Sequence, residues 1–298
     1  LKYKNIDFYI PHRQDEGYGL NLEAISYLKE KNTKLIITVD CGINAKEEIE
    51  FAKSNNIDVI ITDHHLPDYN KVPESAYAII NPKLSKTYPE KELSGVGVAY
   101  KLLLALAERN SLNIKDDFIE FVAFGTIADI VPITYENRIL VRRGLKKLQE
   151  TKNLGLKMLK KVAGIKDYKK IDTYHIGYIL GPRINAAGRV EHAKKAVELF
   201  LTENEEYAYS IAKELNDNNE ERKFQMRKIE EEAIKYLEHT FSPDKDFIIV
   251  LFNENWNAGI IGLVASKIVN KYYRPTILLT KGENGFAHGS ARSIASIS

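Results

Sequence analysis

Leu35-Ile36-Ile37-Thr38-Val39-Asp40-Cys41-Gly42 and, a helix-length farther on, Val59-Ile60-Ile61-Thr62-Asp63-His64-His65 decide how this chain is built. Each is a short β-rich run that ends at once in an acid. Apolar runs of this kind, without alternation, suit strands buried on both faces, as in a parallel sheet covered by helices. Between them, Ala45–Asn55 has helical periodicity behind Asn44, which is placed to serve as N-cap. Working outward, Ile6–Ile10 reads as a strand and Leu20–Lys31 as a helix with Ile25 and Leu28 inward. Tyr77–Ile80 reads as a further strand, closed by Asn81-Pro82. Strand–helix–strand repetition at this spacing predicts right-handed βαβ units and hence an α/β domain on a parallel sheet.

From Gly95 to about Glu238 the pattern turns mostly helical, with periodic stretches at Ala99–Glu108, Phe118–Ala128, Arg138–Gln149 and Ala193–Leu201. A long charged helix is expected from Glu205 to Leu237, its alternating signs suggesting an exposed connector. After Ser242-Pro243 the β pattern returns at Phe247–Phe252, followed by a helix at Ile260–Tyr272 and strands at Thr276–Leu279 and Phe286–Ala291. The expected division is a larger α/β domain over residues 1–203, a connector helix over 204–240 and a smaller α/β domain over 241–298.

Composition narrows the classes. A chain of 298 residues with 44% hydrophobic and 28% charged content has room for two domains and is neither collagen-like nor disordered. One cysteine excludes a disulfide framework and points to a reducing, cytoplasmic setting. The longest apolar runs fall far short of the ~18 residues of a membrane span. The first residue is Leu, and no signal-like segment precedes the first strand, which reads as the start of a fragment. The net charge of +2 conceals a strong local imbalance: Arg142 to Lys170 carries eleven Lys and Arg against two acids, a net +9, which leaves −7 for the remainder. A basic block in a near-neutral chain is what a polyanion-binding face requires.

Ligands of open parallel sheets bind beyond the carboxyl ends of the strands. Two strands here end there in ionisable groups, one in Asp40 and the other in Asp63-His64-His65. If the second segment stays extended, His64 and His65 point opposite ways, so one binds a metal and the other reaches substrate or orients a ligand. Carboxylates with imidazole and no thiolate favour Mn²⁺, Mg²⁺ or Zn²⁺. Cys41 alternates away from Asp40 and reads as a small buried apolar residue. Asp129, at the end of an apolar helical run and before Pro132, is a further candidate ligand. Gly181-Pro182-Arg183-Ile184-Asn185-Ala186-Ala187-Gly188-Arg189 places Arg183, Asn185 and Arg189 among small residues that would let a phosphodiester approach. In Gly289-Ser290-Ala291-Arg292-Ser293, Ser290 and Arg292 would share one face of an extended segment and could grip one phosphate.

Taken in order, Val39–Gly42, Thr62–His65, Ser94-Gly95-Val96-Gly97, Ala128–Pro132, Gly181–Arg189 and Gly289–Ser293 resemble the DHH phosphoesterases. The Gly181–Arg189 stretch, Tyr9-Ile10-Pro11-His12-Arg13 and Glu16-Gly17-Tyr18-Gly19 are similar to the RecJ group within them, single-strand-specific 5′-to-3′ DNA exonucleases that act in repair and recombination. The resemblance implies a parallel-sheet DHH domain, a long helical connector and a smaller DHH-associated α/β domain. It implies that Asp40 bridges two Mn²⁺ or Mg²⁺ ions, that His64 and Asp129 share one of them, that Asp63 supports the histidine pair, and that His65 sits near the scissile phosphate. Arg13, Arg183, Asn185, Arg189, Ser290 and Arg292 would contact DNA. Two ions about 3.5–4 Å apart can activate a water and stabilise the leaving oxygen. A narrow basic groove between the domains would select single strands, with release of 5′ mononucleotides and a steep dependence on salt. A single-strand-binding protein or a helicase is a further candidate partner.

The family carries an Asp-rich motif upstream of the segment that opens this sequence, and further β structure beyond Gly289–Ser293. The chain is therefore expected to hold half of a dinuclear site and to be feeble or inactive until completed. Competing readings are a DHH phosphodiesterase acting on short oligonucleotides or cyclic dinucleotides, a non-catalytic DNA-binding relative, and a family II pyrophosphatase. The retained Asp40, His64 and Asp129 argue against the non-catalytic relative. The basic surface argues against the pyrophosphatase.

Overall fold

A computed structural model describes residues 5–11, 16–114, 116–166, 169–190, 193–282 and 285–295, with the side chains of 187–190 outside the description. Arg13 lies outside it, and so does the side chain of Arg189. The chain forms two compact units, Leu1–Ile184 with Ala193–Ala212, and Asn185–His192 with Lys213–Ser298.

The first unit is built on a sheet of β1 (Leu35–Val39), β2 (Asp58–Thr62) and β3 (Ala78–Ile80), in that order and parallel throughout. Helices α1 (Leu22–Glu30) and α2 (Lys46–Ser54) cover one face. Ile25, Ile49, Ala52, Ile57, Val59 and Ile61 form the core there, each at most 2% exposed. A buried Ile or Leu stabilises by roughly 1.5–3 kcal/mol over its exposed state, so this small set suffices to fix the sheet against its helices. A second core gathers Val98 and Tyr100 of α3 (Gly95–Arg109), Ile119 and Val122 of α4 (Ile119–Ala128), and Leu140 of α5 (Tyr135–Gln149). Then come α6 (Leu154–Val162), a π-helical stretch at His175–Leu180, α7 (Gly181–Val190), α8 (Lys194–Leu201) and α9 (Glu205–Thr240). In α5, Gly144 is required by packing, because a Cβ there would stand 2.3 Å from the Ile119 carbonyl oxygen of α4.

The second unit pairs β4 (Ile249–Phe252) parallel to β5 (Thr276–Lys281), and β5 antiparallel to β6 (Ala287–Arg292). Ile260, Ile261, Val264, Ala265 and Ile268 of α10 (Ala258–Tyr272) pack on this sheet together with Ile229, Ala233 and Leu237 of α9. The α/β class with a parallel sheet, a long helix and a second small sheet is the observed architecture.

Four local expectations differ. Residues 6–10 form no strand: Ile6, Phe8 and Tyr9 are exposed, and the segment is tied instead through the Tyr9 hydroxyl, which donates to Glu16. Asn44 does not cap α2. Its amide donates to the Leu66 carbonyl at 3.2 Å and its carbonyl accepts from the Asp68 N–H at 2.8 Å, so it braces the loop after His65. β1 is not buried on both faces: Leu35, Ile37 and Val39 are exposed, because helices cover only the other side. Nor is α9 a bare connector. Ala208, Ile211, Ala212 and Leu215 are buried along its first half, and Ile229, Ala233 and Leu237 along its second. Those positions recur at helical spacing among the charges, an apolar stripe that overall charge alternation masks.

Candidate functional site

The register pairs Val39 with Thr62, so Asp40 and Asp63 leave the sheet side by side at its carboxyl edge. The ladder runs one residue further on both strands, with Asp40 N–H to the Thr62 carbonyl at 2.9 Å and Asp63 N–H to the Ile80 carbonyl at 3.1 Å. Thr62 Oγ1 donates to the Thr38 carbonyl at 2.6 Å, and Thr38 Oγ1 to that of Cys41 at 2.8 Å, pinning the tip. Asp40 turns there with φ +67°, a conformation that Asp tolerates better than most residues. Its side chain lies on the first turn of α3, where Ser94 caps the helix by accepting from the Gly97 N–H at 3.3 Å. Only glycine fits at position 95, since a Cβ would come 2.2 Å from Asp40 Oδ1.

Three groups converge. His64 Nε2 lies 3.0 Å from Asp40 Oδ1 and 3.3 Å from Asp129 Oδ2, and Asp129 reaches it from the C-cap of α4. The Asp40 carboxylate raises the His64 pKa above the ordinary imidazole value; burial opposes this, and Asp129 adds to it. Burial raises the Asp129 pKa, the Asp40 charge works in the same direction, and His64 opposes. Despite these short separations, His64 Nε2 and Asp40 Oδ1 are buried without an aligned hydrogen bond. Buried polar atoms normally find partners. Two carboxylates aimed at one imidazole nitrogen offer a hard, anionic donor set, which fits a divalent cation of the Mn²⁺ or Mg²⁺ kind. Asp40, His64 and His65 also each bring a ligand atom within 4.8 Å of the others.

The two histidines do not point apart. Asp63, 1% exposed, accepts at Oδ1 from the backbone N–H groups of His64 (2.7 Å) and His65 (3.2 Å), and at Oδ2 from that of Ile43 (3.0 Å). That turn ends the extended backbone at Thr62, and the two imidazoles come to lie 4.5 Å apart. His65 Nδ1 sits 2.7 Å from Asp63 Oδ1, so the carboxylate orients this ring and leaves its Nε2 for other contacts. Cys41 is half-buried, and burial pushes its thiol up to about 11, in keeping with a packing residue.

Arg183 is buried and donates to the Ile179 carbonyl at 2.5 Å, while Asn185 is exposed on α7. In the second unit, Arg292 Nη1 donates to Ser290 Oγ at 3.0 Å on one face of β6, as their spacing implies. Both approach Gly262 of α10, where a Cβ would lie 2.8 Å from Ser290 Oγ and 3.0 Å from Arg292 Nη2. Most of the basic segment is exposed on α5, α6 and the loop that follows. Lys147 is half-buried, and Lys160 is buried with its ammonium 3.2 Å from the Gln149 carbonyl.

Three supporting residues escaped the sequence reading. Beyond the tip of β3, Asn81 donates to the His65 carbonyl at 3.0 Å and Lys83 to the His64 carbonyl at 2.6 Å. The strand-end rule that found Asp40 would have found these too. Tyr18 donates to the Asp40 carbonyl at 2.5 Å and presents its ring edge-on to His65, a long-range contact with no local signal.

The signature of the DHH family, N-terminal domain, spans residues 1–126. The single-stranded-DNA-specific exonuclease RecJ of Bacillus subtilis is 45% identical over 97% of this chain, which covers 36% of that protein. The crystal structure of exonuclease RecJ bound to manganese superposes with a TM-score of 0.84 at 34% identity, over 97% of this chain and 70% of the other. RecJ from Thermus thermophilus in complex with Mn²⁺ does so with a TM-score of 0.81 at 33% identity, over 93% of this chain and 40% of the other. The chain thus spans about a third of the length of the Bacillus relative. In sequence and in fold, the chain belongs to the RecJ group of the DHH family.

Proposed function

We propose that this chain is the catalytic part of a metal-dependent exonuclease that degrades single-stranded DNA from its 5′ end and releases 5′ mononucleotides. The observation that carries the reading is the meeting of Asp40 Oδ1, His64 Nε2 and Asp129 Oδ2 beyond the parallel strands, with buried atoms lacking aligned partners. Asp40, His64 and Asp129 would hold Mn²⁺ or Mg²⁺, the former being the ion of the two manganese-bound relatives. Such an ion, when bound, polarises a phosphoryl oxygen and makes a water acidic enough to attack phosphorus.

The chain's own groups do the rest. Asp63 accepts from His65 Nδ1, which orients the ring and turns Nε2 toward the scissile phosphate. Lys83, Asn81 and Tyr18 lock the carbonyls of His64, His65 and Asp40 and thereby set the side chains. Ser290 and Arg292, joined on one face, suit a phosphate of the strand, and Arg13, Asn185 and Arg189 belong to the same proposal. Arg183, already committed to a backbone carbonyl, is better suited to holding its helix. Residues 1–203 would form the catalytic domain and 241–298 the DNA-gripping domain, with 204–240 joining them. Action in the cytoplasm, beside a single-strand-binding protein or a helicase, completes the reading. No helix of the described residues is long and apolar enough to cross a membrane.

The test is a nuclease assay of the full-length protein with Mn²⁺, on single strands labelled at the 5′ or 3′ end and on strands whose 5′ end is duplexed. Mononucleotides released only from a free 5′ end are expected. Release from the 3′ end, or activity confined to dinucleotides, would sink the reading.

A further inference from the structure

Tyr174 and Tyr178, four residues apart at the start of the π-helical stretch, stack their rings with centroids 5.1 Å apart and planes 27° from parallel. They are nevertheless exposed, at 59% and 73%. Apolar rings paired in this way usually lie in a core, and two tyrosines stacked in water leave one broad π face open. The helix beneath them is anchored. His175 is buried, its Nδ1 2.7 Å from the Asp172 carboxylate, which also accepts from the His175 N–H at 3.2 Å. A Cβ at Gly177 would lie 3.9 Å from Ile127 Cγ2, and one at Gly181 would lie 3.7 Å from Ala128 Cβ. The tyrosine helix therefore packs on the last turn of α4, the turn that delivers Asp129 to His64. Just before it, Lys166, Lys169 and Lys170 are exposed. A π-helical insertion is rare and concentrates at functional sites. Tyr174, at its N-cap, and Tyr178 within it are four residues apart and share one face.

We infer that Tyr174 and Tyr178 form a stacking platform for an unpaired nucleobase of a strand whose phosphate is held at the Asp40–His64–Asp129 centre. The inference rests on the exonuclease reading and adds a base contact to it. Stacking on an aromatic face accepts any base and demands that it be unpaired. The exposed lysines beside the pair supply the charge complementary to the phosphates of that same strand. A duplex, whose bases are already stacked on one another, would gain nothing from the platform.

The test compares binding of two oligomers by the 298-residue chain, with Mn²⁺ present and phosphorothioate linkages at the 5′ end to block hydrolysis. One is oligothymidylate; the other has the same number of phosphates on abasic tetrahydrofuran units. The wild type should prefer thymidylate by about tenfold, the usual size of one base–aromatic stack. The Tyr174→Ala/Tyr178→Ala double variant should lose that preference while keeping its affinity for the abasic strand, and Tyr174→Phe/Tyr178→Phe should keep both. If the alanine pair misfolds by circular dichroism, Tyr178→Leu, which retains apolar bulk without a π face, should cut the preference several-fold. Equal binding of both oligomers by the wild type, or a preference that survives in the alanine pair, overturns the platform and leaves the exonuclease reading standing. So does a concentration-dependent dimer that the alanine pair abolishes. Failure to bind either oligomer overturns both.

Discussion

The two sheets of this protein end in opposite chemistry. At the carboxyl edge of β1 and β2, Asp40, Asp63, His64 and His65 crowd together, joined by Asp129, and the excess of carboxylate makes a place for cations. In the second unit, β6 ends in Ser290 and Arg292, hydroxyl and guanidinium 3.0 Å apart, a place for an anion. Both rely on a glycine that clears the way, Gly95 beneath Asp40 and Gly262 beneath Ser290. The pairing teaches that a strand tip fixes a side chain well enough for chemistry only when a neighbouring helix start or face is stripped to backbone beside it. Metal and phosphate, the two halves of a metal-assisted hydrolysis, are thus expected to depend on different units and to fail separately.

The largest separation should come from Asp40→Ala. If Asp40 binds the metal as proposed, its loss should cost turnover at least ~10³-fold, about 4 kcal/mol of barrier, while single-strand affinity changes little. Turnover measured under saturating Mn²⁺ checks this, and unchanged turnover would refute the role of Asp40. Gly95→Ala should come next, since its Cβ would lie 2.6 Å from Asp40 Cβ and must displace the carboxylate. We expect a loss of roughly 10²-fold in Mn²⁺ affinity, with ssDNA affinity nearly constant.

Asp63→Asn sharpens the same side of the comparison. Asp63 accepts from three backbone N–H groups and orients His65, and an amide can only place a donor against one of those donors. Urea unfolding should show a loss of about 1–3 kcal/mol, and activity should fall by roughly 10–100-fold. The smallest effect belongs to the other sheet. Arg292→Ala should lower the slope of log affinity against log salt by about 0.7, the share of one phosphate of a single strand, and leave Mn²⁺ binding untouched. A variant that alters metal affinity instead would erase the distinction between the two edges.

What could be read from sequence follows the range of the interactions. The parallel sheet was legible because Leu35–Val39 and Val59–Thr62 are unbroken β-rich runs, but the burial of β1 was not, since Leu35, Ile37 and Val39 are exposed on its uncovered face. Asp40, His64 and Asp129 were legible as candidates because strand ends and helix ends place side chains at predictable points. The relation between His64 and His65 was not, because it depends on the Asp63 turn, whose acceptors replace the strand alternation. Asn44 was misassigned because its partners, Leu66 and Asp68, lie in the next loop and outcompete the local cap. The buried stripe of α9 was hidden by the charges between its apolar positions, and Arg183 by the helix that turns it toward its own backbone. Local rules located the donors, and tertiary contacts decided which way they faced.

The most direct measurement is calorimetric titration of Mn²⁺ into the wild-type chain, Asp40→Ala and Arg292→Ala. The expected result is saturable binding by the wild type and by Arg292→Ala, with binding lost or weakened at least ~10-fold in Asp40→Ala. Equal Mn²⁺ affinity in the wild type and Asp40→Ala would contradict the assignment of the first sheet's edge as the metal centre.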